Sequence, residues 1–287
     1  MKMYLRNFLL SALTFSLATT MLSAQETPEI TSDMPGDNFS LEGAVELFKT
    51  AATLEDFEKA LNATDSEVNN LDLNEDGETD YIRVIDRAEG KAHAVVLQAI
   101  LNEKESQDVA VIEIEKDGDE SAILQIVGDE ALYGSQVITE PFEEEVKKTN
   151  GRGGPSVQGA VPFRIVVNVW FWPSVRFIYG PAYVPYYSPW RWRYYPVWYR
   201  PYRHRPYHVF YGYHRPYHVH YHVVTVCRVN NAHNAYHPHR SYSPAVHTRT
   251  QTVVERRGKD GGHNGRDAQR GNVDSRDNNR RSDDGRN

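Results

Sequence analysis

Cysteine is nearly missing from this chain of 287 residues, which has one, Cys227. A single cysteine cannot form an intrachain disulfide, and no Cys-x-x-Cys pair is present for zinc binding or redox chemistry. This excludes a disulfide scaffold and predicts that cysteine binds no metal here. The sequence also has no Gly-x-Ser-x-Gly elbow, no His-Glu-x-x-His pair, no phosphate-binding loop and no dinucleotide-binding glycine fingerprint. We therefore expect a protein that is not an enzyme.

Long apolar runs are confined to the start of the chain. Residues 1–24 have a basic beginning, an apolar run from Phe8 to Leu22 and small residues before Gln25. This pattern is typical of a secretory signal peptide that is cut after Ala24. The alternative is an uncleaved membrane anchor, but the run is shorter than the roughly 20 residues that a span needs. We expect an exported protein, in the periplasm, on the outer surface or outside the cell, with no transmembrane span after cleavage.

Charge of one sign is missing from long parts of the sequence. Residues 25–150 carry 32 acidic and 9 basic side chains, whereas residues 151–249 carry 12 arginines and no acidic residue. The formal net charge of −7 conceals this contrast. The division predicts six segments: a signal peptide at 1–24, a polar linker at 25–39, an acidic domain at 40–150, a glycine-rich linker at 151–162, an aromatic segment rich in arginine and histidine at 163–228, and a disordered polar tail at 229–287.

The acidic domain has the sequence pattern of an α+β fold. Apolar residues recur at helical spacing after Ser40 and after Thr53, and both residues can cap a helix. Strand-like alternation follows in four runs, at 81–87, 92–101, 109–116 and 121–127. Gly90 and Gly118 suit hairpin turns with positive φ. The pattern predicts two N-terminal helices packed on one face of an antiparallel four-stranded meander, with the other face in solvent, followed by a low-complexity aromatic and basic segment and a disordered tail.

Residues 72–80 have the spacing of a calcium-binding loop. Ca²⁺ is a hard cation, and a short loop can surround it with oxygen ligands when a glycine permits the sharp turn. Gly77 stands at position 6 of the loop, and the candidate ligands are Asp72, Asn74, Asp76, Glu78 and Asp80. Position 12, which is a bidentate Glu in an EF-hand, is Arg83, and this argues against a true EF-hand. The alternative is an Asx-rich turn without a metal; if calcium binds, we expect it to stabilise the domain.

Aromatic residues are concentrated in the arginine-rich half. All 5 tryptophans and 15 of the 18 tyrosines lie between Phe163 and Tyr242. Alternation predicts one β-strand over 163–172. Prolines recur beyond Pro173, and this argues against a helix or a long central strand.

Histidines alternate with other residues in part of this segment. In an extended chain His218, His220 and His222 would share one face and could bind Zn²⁺, Cu²⁺ or Ni²⁺. The alternative is that they belong to an adhesive low-complexity surface. Arginines among aromatic rings suit stacking and cation–π contacts. The candidate partners are anionic envelope polysaccharide and an acidic surface such as the acidic domain itself, whereas export makes nucleic acid a poor candidate.

Three stretches of the chain resemble a family of uncharacterised secreted bacterial proteins. They are LDLNEDGETDYIRV at 71–84, QDVAV at 107–111 and WFWPSVRFIY at 170–179. The resemblance spans about residues 40–200. It implies a secreted or envelope location and carries over no catalytic residue.

These observations lead to one main hypothesis and two alternatives. The main hypothesis is an exported non-enzymatic protein with a calcium-stabilised acidic domain and an adhesive basic-aromatic segment. The first alternative is a His-rich transition-metal-binding protein of the periplasm, and the second is an enzyme with an unrecognised site in the acidic domain.

Overall fold

The computed structural model describes residues 32–145 and 163–259. The predicted signal peptide at 1–24, the glycine-rich linker at 151–162 and residues 260–287 of the predicted tail lie outside the described residues. The described residues contain seven α-helices and seven strands. None of these helices is long and apolar enough to cross a membrane.

Two capped helices begin the fold, as predicted. Helix α1 (Leu41–Thr50) starts where the Ser40 hydroxyl accepts a hydrogen bond from the Gly43 N–H, and α2 (Leu54–Leu61) starts where Thr53 does the same for Asp56. Each cap satisfies a backbone N–H that has no partner within its helix. The apolar faces of both helices are buried, and the rings of Phe48 and Phe57 meet edge to face at 5.3 Å.

Four antiparallel strands follow, and they confirm the predicted meander. They are β1 (Ile82–Glu89), β2 (Ala92–Ile100), β3 (Ser106–Gly118) and β4 (Ser121–Gly128). Gly90 turns β1 into β2 with φ of +61°, which glycine adopts without strain. The same prediction for Gly118 is wrong, because Gly118 pairs with Ser121 at the end of an irregular ladder and is not among the glycines with positive φ.

The sheet is larger than the predicted four strands. After α3 (Glu130–Tyr133), β5 (Val137–Glu145) pairs with β4. The second half of β5 pairs with β6 (Phe163–Val166), and its first half pairs with β7 (Tyr221–Val224). Strands of the arginine-rich half therefore extend the sheet of the acidic half, and the fold is α+β with an antiparallel sheet.

One face of the sheet packs on the main hydrophobic core. Beside α1 and α2, this core contains the 3-10 turn Val169–Phe171 and α4 (Pro173–Ile178). The predicted strand over 163–172 is therefore wrong beyond Val166. The physical reason is local, because the Asn168 side chain accepts the Trp170 N–H and Pro173 stands in the first turn of a helix, where its missing N–H costs nothing.

The other face of the sheet was predicted to lie in solvent, and this is wrong. It is covered by α6 (Asn230–Tyr236) and by the chain that leads to α7 (244–259). The polar side chains buried on or beside this face are Gln98, Asp108, Glu113, Gln125 and Glu140. The predicted disorder of 229–287 is also wrong over 229–259, since Val229, Ala232, Tyr236 and Val246 are buried against the sheet or the core.

The aromatic segment is held to the acidic half by backbone hydrogen bonds. The Asp86 N–H donates to the Tyr186 carbonyl at 2.7 Å, and the Ser188 N–H donates to the Val84 carbonyl at 3.0 Å, so 186–188 lies along the outer edge of β1. Helix α5 (Tyr207–His214) begins directly after Pro206. The prolines thus limit helices in this segment to short ones rather than preventing them.

Candidate functional site

The predicted calcium loop is closed by its own hydrogen bonds. The Asp72 carboxylate accepts the N–H groups of Asp76 and Gly77 at 3.0 and 2.9 Å, and Asp76 accepts the N–H of Glu78 at 2.9 Å. Asn74 also accepts the Asp76 N–H at 3.0 Å. Gly77 has φ of +85°, so it supplies the sharp turn that the spacing predicted. These contacts are the Asx turns of the metal-free alternative.

Asp80 closes the same loop from a buried position. Its carboxylate accepts the Leu73 N–H at 2.6 Å. Burial, together with the negative charges of Asp72 and Asp76, raises the pKa of Asp80 to about 7, although the hydrogen bond from the Leu73 N–H opposes this rise. Arg249 of α7 contacts Glu75 and the Leu73 carbonyl beside a cleft of about 440 Å³.

The carboxylates of the loop do not form a preorganised cage. In the part of the chain that the structure describes, a single group of acidic, histidine or cysteine side chains brings three ligand atoms within 4.8 Å of one another, and it lies elsewhere. Calcium binding by Asp72, Asn74, Asp76, Glu78 and Asp80 therefore stays a prediction, and it requires the loop side chains to draw together.

The three predicted histidine ligands do not lie on one extended strand. His218 falls within the 3-10 turn Arg215–Val219, His220 is exposed, and His222 alone belongs to β7. Pro216 suits the turn because it needs no backbone N–H donor there. The Nε2 atom of His222 lies 3.4 Å from the buried Glu140 carboxylate. The extended backbone that motivated the metal hypothesis is thus interrupted, and metal binding by these residues stays a prediction.

Ion pairs between buried carboxylates and exposed or partly exposed basic side chains lie on the polar face of the sheet, and the sequence did not reveal them. The pairs are Glu113–His233, Asp129–Arg240 and Glu140–Arg228, with N–O distances of 2.8, 2.6 and 3.1 Å. In each pair the acid comes from the acidic half and the base from the C-terminal half. Burial raises the pKa of Glu113, and the hydrogen bond from His233 opposes this rise. The opposite charges of the two halves were the available signal, but they did not specify partners.

Glu58 is a buried carboxylate that is held by hydrogen bonds from hydroxyl and backbone N–H groups, and it connects three parts of the fold. Its Oε1 atom accepts the hydroxyls of Tyr81 and Ser188 at 2.7 and 2.9 Å, and its Oε2 atom accepts the Val84 N–H at 2.8 Å. Burial raises the pKa of Glu58, whereas these hydrogen bonds lower it. Glu58 thereby fixes α2, β1 and the aromatic segment to one another.

An exposed surface of arginine and aromatic side chains stands out in the aromatic segment. We define the arginine-aromatic surface as Tyr187, Arg191, Tyr194, Val197 and Trp198. Val197 is 90% exposed, Tyr194 63%, Tyr187 57% and Trp198 41%. The guanidinium of Arg191 lies 4.5 Å from the centroid of the Tyr194 ring, a cation–π contact at the surface. Large exposed side chains in such density are typical of interaction surfaces.

A tight turn and a buried aromatic cluster hold this surface in place. Arg191 and Tyr194 form a backbone bridge, and Arg193 at its tip has φ of +62°, which is strained for a residue with a side chain. Beneath the surface, Tyr199 packs on buried Tyr81 at 4.8 Å, and its hydroxyl donates to the Thr79 carbonyl at 2.9 Å. The exposed groups therefore stand on a fixed backbone.

Comparison with protein-family models, curated proteins and solved structures gives no match to this chain.

Proposed function

We propose that the protein is an exported, non-enzymatic binding protein whose arginine-aromatic surface adheres to anionic polysaccharide of the cell envelope. The observation that carries the proposal is the exposure of Tyr187, Tyr194 and Trp198, with Arg191 stacked on Tyr194, in a segment, 151–249, without an acidic residue. Aromatic rings pack on the apolar faces of sugar rings, and arginine pairs with acidic groups on the polymer. A fixed backbone reduces the entropy that binding costs.

Binding of the mature full-length chain to polygalacturonate, with neutral dextran as the comparison polymer, tests this function. We expect Tyr194→Ala combined with Trp198→Ala to weaken binding about tenfold or more, because aromatic side chains that become buried in a complex contribute most of its binding energy. Arg191→Gln should weaken binding most at low salt, where exposed charges are least screened. Tyr242→Ala is the matched control, since Tyr242 is 53% exposed and also stacks beneath an arginine, Arg240. Equal affinity for dextran, or equal losses in the control, would contradict the proposal.

Calcium binding at residues 72–80 belongs to the same proposal as a stabilising feature. The supporting observation is the spacing of the oxygen donors together with the buried carboxylate of Asp80. A ligand at about 100 times its dissociation constant adds roughly 2.7 kcal/mol of stability. We expect Ca²⁺ to raise the melting midpoint of the full chain by several degrees relative to chelator. Asp76→Asn keeps an acceptor for the Glu78 N–H but removes a charge, so it should abolish most of this rise without unfolding the loop.

Metal handling by His218, His220 and His222 is the first alternative. The test is Cu²⁺ or Zn²⁺ uptake by the mature chain and by the variant in which all three histidines are alanine. An enzyme with an unrecognised site in the acidic domain is the second alternative; we assign it no residues, and loss of polysaccharide binding in the surface variants would favour the main proposal over it.

A further inference from the structure

Three side chains with metal-binding atoms converge on the polar face of the sheet. Glu113 lies on β3, His233 lies on α6, and Cys227 lies in the connection between β7 and α6. One ligand atom from each lies within 4.8 Å of the other two. Among the residues that the structure describes, this is the one set of three acidic, histidine or cysteine side chains that are so close together. The Nδ1 atom of His233 lies 2.8 Å from Oε1 of Glu113.

One of the two carboxylate oxygens of Glu113 has no hydrogen-bond partner in the protein. Glu113 is fully buried, and while Oε1 contacts His233, Oε2 has no hydrogen-bond partner. A buried carboxylate oxygen without a partner is costly, because it has lost its water and gained nothing in return. A cation among these three residues would satisfy that oxygen. This observation is independent of the spacing of the ligands.

We propose that Glu113, Cys227 and His233 form a mononuclear Zn²⁺ site. One thiolate, one imidazole and one carboxylate are ligands that zinc takes in tetrahedral sites, whereas a thiolate disfavours Ca²⁺ and Mg²⁺. Thiolate and carboxylate together balance the charge of Zn²⁺, so the buried site is neutral when the metal is bound. Cys227 and His233 are only partly buried, and solvent can supply a fourth ligand.

Metal binding requires a small rearrangement, in which the metal replaces the hydrogen bond between His233 Nδ1 and Glu113 Oε1, now 2.8 Å long. Zinc–ligand distances of about 2.0–2.3 Å in a tetrahedron place ligand atoms roughly 3.3–3.8 Å apart. The present separations are all within 4.8 Å, so side-chain rotations of Cys227 and His233 are enough to reach these values.

Glu115 positions the helix that carries His233. Its carboxylate accepts the N–H groups of Asn231 and Ala232 at 2.6 and 3.0 Å and the Asn231 side-chain amide at 2.8 Å. These bonds fix the start of α6 on β3, and Glu115 is therefore a positioning residue rather than a ligand.

The sequence predicted no cysteine-bound metal because it has no Cys-x-x-Cys pair. Glu113 lies more than a hundred residues before Cys227 and His233, and a single cysteine is sufficient when the fold supplies a histidine and a glutamate. His220 and His222 are not members of this group. The proposed site is thus distinct from the histidine row that the sequence suggested.

Co²⁺ substitution of the reduced mature chain tests the site. Because Cys227 is the single cysteine, a thiolate-to-Co²⁺ charge-transfer band can come from no other residue. We expect one Co²⁺ per chain to produce this band and one Zn²⁺ to abolish it by displacement. Cys227→Ser should remove the band, and Glu113→Gln should weaken Zn²⁺ binding by about 100-fold or more, since loss of even an outer contact costs 10–100-fold.

His237→Gln is the matched control, because His237 lies next to the site, with its ring 6.1 Å from that of His233. It should retain the band and the affinity. Zn²⁺ should also raise the melting midpoint of the wild type but not that of Cys227→Ser, whose own midpoint without metal reports whether it folds. Absence of the band in the wild type, or full Zn²⁺ affinity in folded Glu113→Gln, would overturn the proposal.

Discussion

A fragment that contains only the acidic half should not fold stably. The fragment comprises residues 32–145, with both predicted helices and strands β1–β5. In the full chain, residues beyond 163 complete its main core; the buried ones are Val169, Trp170, Trp172, Val175, Ile178, Tyr221 and Val246. The fragment therefore loses part of the cover of the sheet face on which α1 and α2 pack, although its own secondary-structure signals are intact.

The size of the loss follows from burial. Burying one large apolar side chain contributes about 1.5–3 kcal/mol, so these seven contribute on the order of 10–20 kcal/mol. Domains of this size are stable by only about 5–15 kcal/mol in total. The polar face loses partners as well, because Asp108 no longer accepts the Tyr236 hydroxyl or the Ser241 N–H. The free energy lost with these contacts is therefore as large as, or larger than, the total free energy of unfolding of such a domain.

Thermal melting followed by far-ultraviolet circular dichroism, together with amide dispersion in NMR spectra, measures the outcome. We expect a broad, non-cooperative melt and poor dispersion for the fragment, and recovery of both when residues 163–259 are supplied as a second polypeptide. A cooperative melt of the fragment alone, within a few degrees of the full chain, would refute the reasoning from burial.

Three substitutions test individual contacts. Burial raises the pKa of Glu58 above 4.5, so the folded state holds this proton more tightly than the unfolded state, and the free energy of unfolding falls as pH rises above about 4.5. In urea titrations the stability of Glu58→Gln relative to the wild type should therefore increase as pH rises over that range. A difference that does not change with pH would contradict this. Arg240→Met leaves the buried Asp129 without its guanidinium partner and should cost about 3 kcal/mol in the same assay; a cost below about 1 kcal/mol would mean that water replaces the arginine. Gly90→Ala places a side chain at φ of +61° and should lower the free energy of unfolding by about 1 kcal/mol, whereas no change would show that the turn relaxes.

Local patterns were sufficient for the helices and the meander. The spacing after Ser40 and Thr53 and the alternation around Ile112 reflect constraints within one helix or strand, so neighbouring residues in the sequence carry the information. The spacing of 72–80 likewise predicted the turn at Gly77 but not whether its carboxylates converge on a cation. That depends on side-chain positions that spacing leaves open.

By itself, the sequence determined the first two capped helices, the first four strands of the sheet, the turn at Gly77 and the separation of acidic from basic residues. The tertiary structure alone decided that Glu113 is buried rather than exposed to solvent, that His233 lies beside it, and that residues 229–259 are ordered. The physical reason is that a strand alternating Ile with Glu has the same pattern whether its polar face meets water or an opposite charge. Only the fold brings His233, from a helix 120 residues further along the chain, onto that face, where it partners the buried carboxylate of Glu113.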